Sequence, residues 1–218
     1  MTRSTVGTSA GDVSVLLDGA SKGPEQLVIL AHGAGSPMDS DFMEFFAREL
    51  ATKDRSVARF NFPYMEQGRR SPGPAKASEA AFTDVLEHLR KKLSPRSAFI
   101  GGKSYGGRMA SHIAAAGADV DGLLFLGYPL HAPGKPESMR DAHLYDIGCR
   151  MLFVEGTRDP FCPLGTLEKV RRKLPESSLL VVQDGDHSLK VPKSSGRNTE
   201  EAWREAIAGI REWLDVVS

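Results

Sequence analysis

Short apolar runs alternate along the chain with longer stretches in which apolar residues recur every three or four positions. The runs are Val13 to Leu17, Leu27 to Ala31, Val57 to Phe62, Ala98 to Ile100, Leu123 to Leu126, Met151 to Val154 and Leu179 to Val182. Several are continuously apolar, the pattern of strands covered on both faces. Between them, Phe42, Phe46 and Leu50 recur at spacing four behind Asp39 and Ser40, either of which suits an N-cap. Phe82, Leu86, Leu89 and Leu93 form a second helical stripe, and Leu167, Val170 and Leu174 a third. The last stripe is the clearest: Trp203, Ile207, Ile210, Leu214 and Val217, with Asn198 and Glu201 placed as a capping box. Seven strands alternating with helices predict an α/β fold, a mostly parallel seven-stranded sheet with helices on both faces.

The chain has 218 residues, enough for one α/β domain that buries roughly 70 % of its unfolded surface. Residues 12–218 are expected to form that domain and residues 1–11 to be loose. Lys190 to Arg197 and Gln67 to Pro74 read as surface loops. Lys plus Arg and Asp plus Glu are both 28, so the net charge is zero, which gives no support to nucleic-acid binding. No apolar run is long enough to span a bilayer, and Met1 to Gly11 lacks the apolar core of a secretory signal. A cytoplasmic protein is the expectation. Cys149 and Cys162 cannot make a disulfide framework or a four-ligand zinc site, and no H-E-x-x-H occurs. Neither a metal nor another cofactor is expected.

The candidate chemistry begins at Gly102-Lys103-Ser104-Tyr105-Gly106, a G-x-S-x-G. So short a motif arises readily by chance, and its context supplies the weight. Ser97 to Ile100 reads as a strand, and Arg108 to Ala114 as a helix immediately after. A strand-to-helix turn tight enough to project a serine hydroxyl strains its own backbone, and side chains at Gly102 or Gly106 would collide there. Gly107 lets the following helix approach the sheet.

On these residues the chain resembles the α/β-hydrolase superfamily, in particular its small members with little or no lid, described as dienelactone-hydrolase-like. The resemblance runs from about Val13 to Val217. Dienelactone hydrolases proper use a cysteine nucleophile where this chain has Ser104, so their substrate is not implied.

A serine hydroxyl needs a base at neutral pH. Of six histidines, His187 follows the last strand in the loop Asp184 to Ser188, at the sheet edge where such folds gather functional loops. His88 and His112 lie within helical stretches, whereas His131 and His143 follow the fifth strand and could border a pocket. The family's chain order of serine, acid, histidine implies an acid before His187. Gly156-Thr157-Arg158-Asp159 resembles the family's pattern of glycine, two residues and the catalytic aspartate, which implies Asp159 as the orienting acid. Glu155, Asp184 and Asp186 remain rivals. His32-Gly33-Ala34-Gly35 resembles the family's oxyanion turn, which implies the N–H groups of Ala34 and Tyr105 as oxyanion donors and His32 as a scaffold residue.

About twenty residues separate Leu126 from Met151, too few for a multi-helix lid, so the site should be open. An open site suits a small-molecule ester. Arg69, Arg70 and Lys103 are candidates for a cationic rim, weighed against ordinary solvated charges. The expected activity is cleavage of a carboxylic ester or thioester through an acyl-enzyme on Ser104, His187 and Asp159. Two other readings stay open, a catalytically silent scaffold of the same fold and a small peptidase.

Overall fold

The computed structural model describes residues 1–216. Among the described residues ten strands and six α-helices follow one another, with β1 at Thr2–Val6, β2 at Val13–Asp18, β3 at Gln26–Ala31, α1 at Asp41–Leu50 and β4 at Arg55–Phe60. Then come α2 (Pro63–Glu66), α3 (Ala75–Leu93), β5 (Ser97–Lys103), α4 (Tyr105–Ala115) and β6 (Gly122–Leu126). A hairpin of β7 (His131–Ala132) and β8 (Lys135–Met139) precedes β9 (Arg150–Gly156), α5 (Leu164–Arg171), β10 (Ser177–Val182) and α6 (Thr199–Val216).

Eight strands form the main sheet, in the order β1-β2-β4-β3-β5-β6-β9-β10. β1 and β2 run antiparallel at one edge, and the other neighbours from β4 to β10 are parallel. The count is one above the seven strands expected. The extra strand is Thr2–Val6, which lies in the segment expected to be loose and pairs with β2. Thr2, Arg3 and Thr5 are exposed there, so the strand carries almost no apolar signal. Backbone hydrogen bonds to a neighbour hold it, and these leave no mark in a hydrophobic pattern.

The continuous apolar runs are explained by the two cores. Leu27, Ile29, Ile100, Phe125 and Phe153 face one way, onto α3, α4 and α5. Their neighbours Val28, Leu30, Phe99, Leu124 and Val154 face the other, onto α1 and α6. Successive residues point to opposite faces of a pleated strand, so a doubly covered strand must be apolar at every position. The capping box forms as expected, with Glu201 N–H donating to Asn198 Oδ1 (2.9 Å) and Asn198 N–H to Glu201 Oε2 (2.7 Å). Val217, the last residue of the fourth stripe, lies outside the described residues. No helix among the described residues is long and apolar enough to cross a membrane.

The chain runs from β3 to β4 in one direction across the sheet and from β4 back to β5 in the other. The loops leaving β3 and β5 therefore part at a switch point and open a crevice at the carboxyl edge. Both glycine-rich motifs, at residues 32–35 and 102–106, stand at that crevice. Between β6 and β9 the chain makes only the β7–β8 hairpin and a 3₁₀ turn at Ala142–Asp146.

Candidate active site

Ser104 joins β5 to α4 with φ 49° and ψ −108°, a region that a β-carbon normally avoids. The neighbouring glycines make this turn feasible. A β-carbon on Gly102 or Gly106 would overlap the Ala31 carbonyl oxygen of the adjacent β3. The serine is thus lifted clear of the sheet while its backbone lies hard against it.

His187 and Asp159 arrive on two loops joined through their backbones. Arg158 N–H donates to Gly185 O (2.8 Å), Thr157 N–H to Val182 O (3.1 Å), and Asp184 N–H to Thr157 Oγ1 (2.8 Å). Gly156 has no room for a side chain beside the Gly185 carbonyl. The result is one hydrogen-bonded row. Asp159 Oδ2 lies 2.6 Å from His187 Nδ1, and His187 Nε2 lies 2.8 Å from Ser104 Oγ. The other Asp159 oxygen accepts the Phe161 N–H (2.8 Å), so the carboxylate cannot swing away. The Phe161 ring stands edge-on to the imidazole, centroids 4.7 Å apart.

The rival acids fall elsewhere. Asp186 closes its own turn, accepting the N–H groups of Ser188 (2.7 Å) and Lys190 (2.9 Å). Asp184, at φ 59°, shapes the same loop. Glu155 is fully buried at the end of β9, and its Oε1 accepts the Tyr128 N–H (2.6 Å). Burial, reinforced by the Asp159 charge, pushes its carboxyl well above the usual range against the pull of that N–H. Its Oε2 has no donor directed at it. Glu155 is therefore sealed in the core behind the row, its protonated form favoured by burial, and is not the partner of His187.

The other histidines separate equally clearly. His32 is fully buried. Its Nε2 accepts the Phe62 N–H (3.0 Å), which leaves Nδ1 to donate to Gly33 O (2.8 Å). Burial lowers its pKa to about 4, so it is a neutral brace between the loops after β3 and β4. His131 lines the cavity beside Ser104, whereas His143 is turned toward Ser111 Oγ (2.8 Å) and His112 toward Glu79 (2.6 Å). His88 is exposed on α3. Cys162 is buried, and its thiol is held protonated by desolvation and nearby acids.

Lys103 is not part of a cationic rim. It is buried, its ammonium donates to the His187 carbonyl, and it lies 5.9 Å from the centre of the Phe42 ring. Desolvation lowers its pKa to about 8, against the pull of Asp159, Glu155 and Asp186. Burial likewise lowers the pKa of His187. The hydrogen bond to Asp159 opposes that shift and the Lys103 charge adds to it. Arg69 and Arg70 are exposed and line neither cavity at Ser104.

Two cavities meet at Ser104. One, of about 410 Å³, is lined by Ala34, Ser104, Tyr105 and His187 together with Arg108 and Arg140. The other, of about 350 Å³, lies toward Phe42, Met43 and Trp203. Arg108 and Arg140 escaped the sequence reading. Arg108 was findable, since it stands four residues after Ser104 on one helix and so shares its face. Arg140 was not, because the β7–β8 hairpin returns it to the cavity. A further depression of about 430 Å³ at the opposite end of the sheet, around Gln26, Arg55 and Asp215, contains neither serine nucleophile nor histidine.

A serine on a strained strand-to-helix turn, backed by a histidine and a buried carboxylate at a parallel-sheet edge, defines the α/β-hydrolase class. The chain belongs to that family: the profile of the α/β hydrolase domain matches residues 24–215. The fold is shared with solved structures at low identity. A lidless α/β serine hydrolase of Xanthomonas campestris is 19 % identical with TM-score 0.74, covering 97 % of this chain and 94 % of that one. An α/β serine hydrolase homologue of Coxiella burnetii is 15 % identical with TM-score 0.73, over 98 % and 95 %. A thermophilic esterase of Thermogutta terrifontis is 18 % identical with TM-score 0.73, over 100 % and 99 %.

Proposed function

We propose that this protein is a serine esterase that cleaves a small carboxylic ester or thioester through an acyl-enzyme on Ser104. The observation that carries the reading is the row Asp159–His187–Ser104, hydrogen-bonded throughout and open to a cavity on each side. With Nδ1–H donated to Asp159, the free lone pair of His187 is on Nε2, facing the serine hydroxyl. His187 takes the Ser104 proton as Oγ attacks the ester carbonyl carbon, and the carbonyl electrons move onto oxygen. The N–H groups of Ala34 and Tyr105 are the donors proposed for that oxyanion. Collapse expels the alcohol or thiol, which takes the proton from His187 and leaves an acyl group on Ser104. Water, deprotonated by His187, repeats the attack and releases the acid. Asp159 fixes the imidazole tautomer and offsets the imidazolium charge. No cofactor enters these steps.

p-Nitrophenyl acetate tests this reading, because its good leaving group needs no specific contact. Wild type should hydrolyse it, and Ser104→Ala should lower kcat/KM by about 10³-fold or more. His187→Ala should cost a similar factor, and the double variant no more than either alone, since the two residues act as one unit. A fluorophosphonate probe should label Ser104. Equal hydrolysis by wild type and Ser104→Ala, with no labelling, would instead leave a catalytically silent scaffold.

A further inference from the structure

The larger cavity at Ser104 is lined by two cations, Arg108 and Arg140, that form no ion pair among the described residues. Arg108 lies one helical turn after Ser104, its N–H donating to Ser104 O (3.0 Å), and it lines the same cavity. Arg140 reaches that cavity from the other side. Its backbone is pinned by its own N–H to Leu130 O (2.7 Å) and by the Tyr128 hydroxyl to its carbonyl (3.1 Å). Among the described residues neither guanidinium forms a hydrogen bond or ion pair, and the Arg108 Nε is buried without any acceptor. Elsewhere the chain pairs such groups routinely, as with Arg59 and Asp18 at 2.8 Å.

The acids nearby are already engaged. Glu79, which lines a neighbouring depression together with both arginines, accepts from His112 at 2.6 Å and pairs with neither guanidinium. Asp141, next to Arg140 in sequence, accepts from the Tyr145 hydroxyl at 2.6 Å. Desolvation and the Arg108 charge both disfavour the protonated form of Arg140, so the pair stands in mutual repulsion. Two guanidiniums that line one cavity and lack acceptors offer donors of the kind that bind the oxygens of a carboxylate.

We propose, on the basis that Ser104 is the esterase nucleophile, that this cavity takes esters carrying a second, free carboxylate, which Arg108 and Arg140 hold while the ester carbonyl meets Ser104. The substrate class is thus the half-ester of a dicarboxylic acid, or an ester of comparable charge, and not a neutral acyl ester. The chain's zero net charge supplies no general attraction for anions, so any preference must come from this local pair.

The test compares mono-p-nitrophenyl adipate with its methyl-capped counterpart, which differs only in the masked carboxylate. Wild type should favour the anionic ester in kcat/KM by at least tenfold, and the ratio should shrink as sodium chloride is raised. In Arg140→Gln and in Arg108→Gln that ratio should fall at least tenfold, mainly through KM. Arg69→Gln, outside the cavity, should leave it within twofold. A ratio near one in wild type, or an equal fall in Arg69→Gln, would overturn the assignment while leaving the esterase reading intact. Faster turnover of the matching phosphonate ester would overturn the choice of carboxylate. If neither ester is hydrolysed, the esterase reading fails, and calorimetry of mono-methyl adipate on Ser104→Ala still reads the site. Binding that is lost in Arg140→Gln supports the anion pocket, and absence of binding removes it.

Discussion

Gly106 offers a direct measure of how strictly packing positions the nucleophile. In Gly106→Ala the new β-carbon would lie 2.5 Å from the Ala31 carbonyl carbon and 2.8 Å from His32 O, as well as overlapping the Ala31 oxygen. Ordinary contact begins at 3.4 Å, so α4 must retreat from β3 by about 1 Å, and both elements are buried in a packed core. Overpacking of this kind costs about 1–3 kcal/mol. For a chain of this length that corresponds to a loss of roughly 3–10 °C in Tm. The same shift separates Ser104, at the start of α4, from the loop at His32 to Ala34, and a 1 Å misplacement costs about 10²-fold in rate. Thermal unfolding and p-nitrophenyl acetate hydrolysis read the two effects separately. The control is Gly165→Ala in α5, where the new methyl meets nothing within 4 Å. It should be neutral or stabilising by up to about 1 kcal/mol. A Gly106→Ala protein with unchanged Tm and turnover would refute the claim that this contact holds the serine in place.

Three further outcomes follow from buried charge. Burial, with Lys103 nearby, keeps the His187 pKa below 6.5, so hydrolysis should rise with pH as His187 loses its proton and level off by about pH 7. A midpoint above 7 in the kcat/KM profile would contradict this. His32 has a folded pKa of about 4 against 6.5 when exposed, so the unfolded chain takes up the proton first. Stability should therefore be complete above about pH 6.5 and decline as the pH falls toward 4, by up to about 3 kcal/mol. Urea midpoints at pH 7.5 and 4.5 should show the decline in wild type and a smaller one in His32→Gln; identical declines would disprove the assignment. Asp18→Ala strips the fully buried Arg59 of its carboxylate partner and should destabilise by about 3–5 kcal/mol in urea unfolding, with a loss under 1 kcal/mol counting against a buried pair.

Much of this architecture was legible because burial writes itself into residue type. Val28 and Ile29 lie on opposite faces of β3, so both must be apolar, and a continuous run announces a doubly covered strand. The elbow was legible for a steric reason: only glycine fits against Ala31 at positions 102 and 106, and the requirement is local to five residues. Position along the strands pointed to His187, because loops at the carboxyl edge of a parallel sheet converge, whereas Asp159 was implied by the resemblance of Gly156 to Asp159 to the family's pattern.

What the sequence alone could not decide depends on which atoms lie across a gap from which. His187 meets Ser104 over 83 residues and Asp159 over 28. Glu155, four residues before Asp159, was a lesser rival on the family pattern, but nothing in the sequence alone removed it. Only the fold shows it sealed in the core with an N–H on one oxygen, while Asp159 turns outward to the imidazole. Lys103 and Arg108 were both cations near the motif. The strand buries the first beneath the His187 loop, and the helix presents the second to the cavity. Thr2–Val6 and the β7–β8 hairpin were missed for a related reason. Backbone hydrogen bonds hold them, and every residue carries the same backbone donors and acceptors whatever its side chain. A hydrophobic pattern records that a side chain is buried. It does not record the partner that backbone geometry brings to it, and at a catalytic centre the partner decides the chemistry.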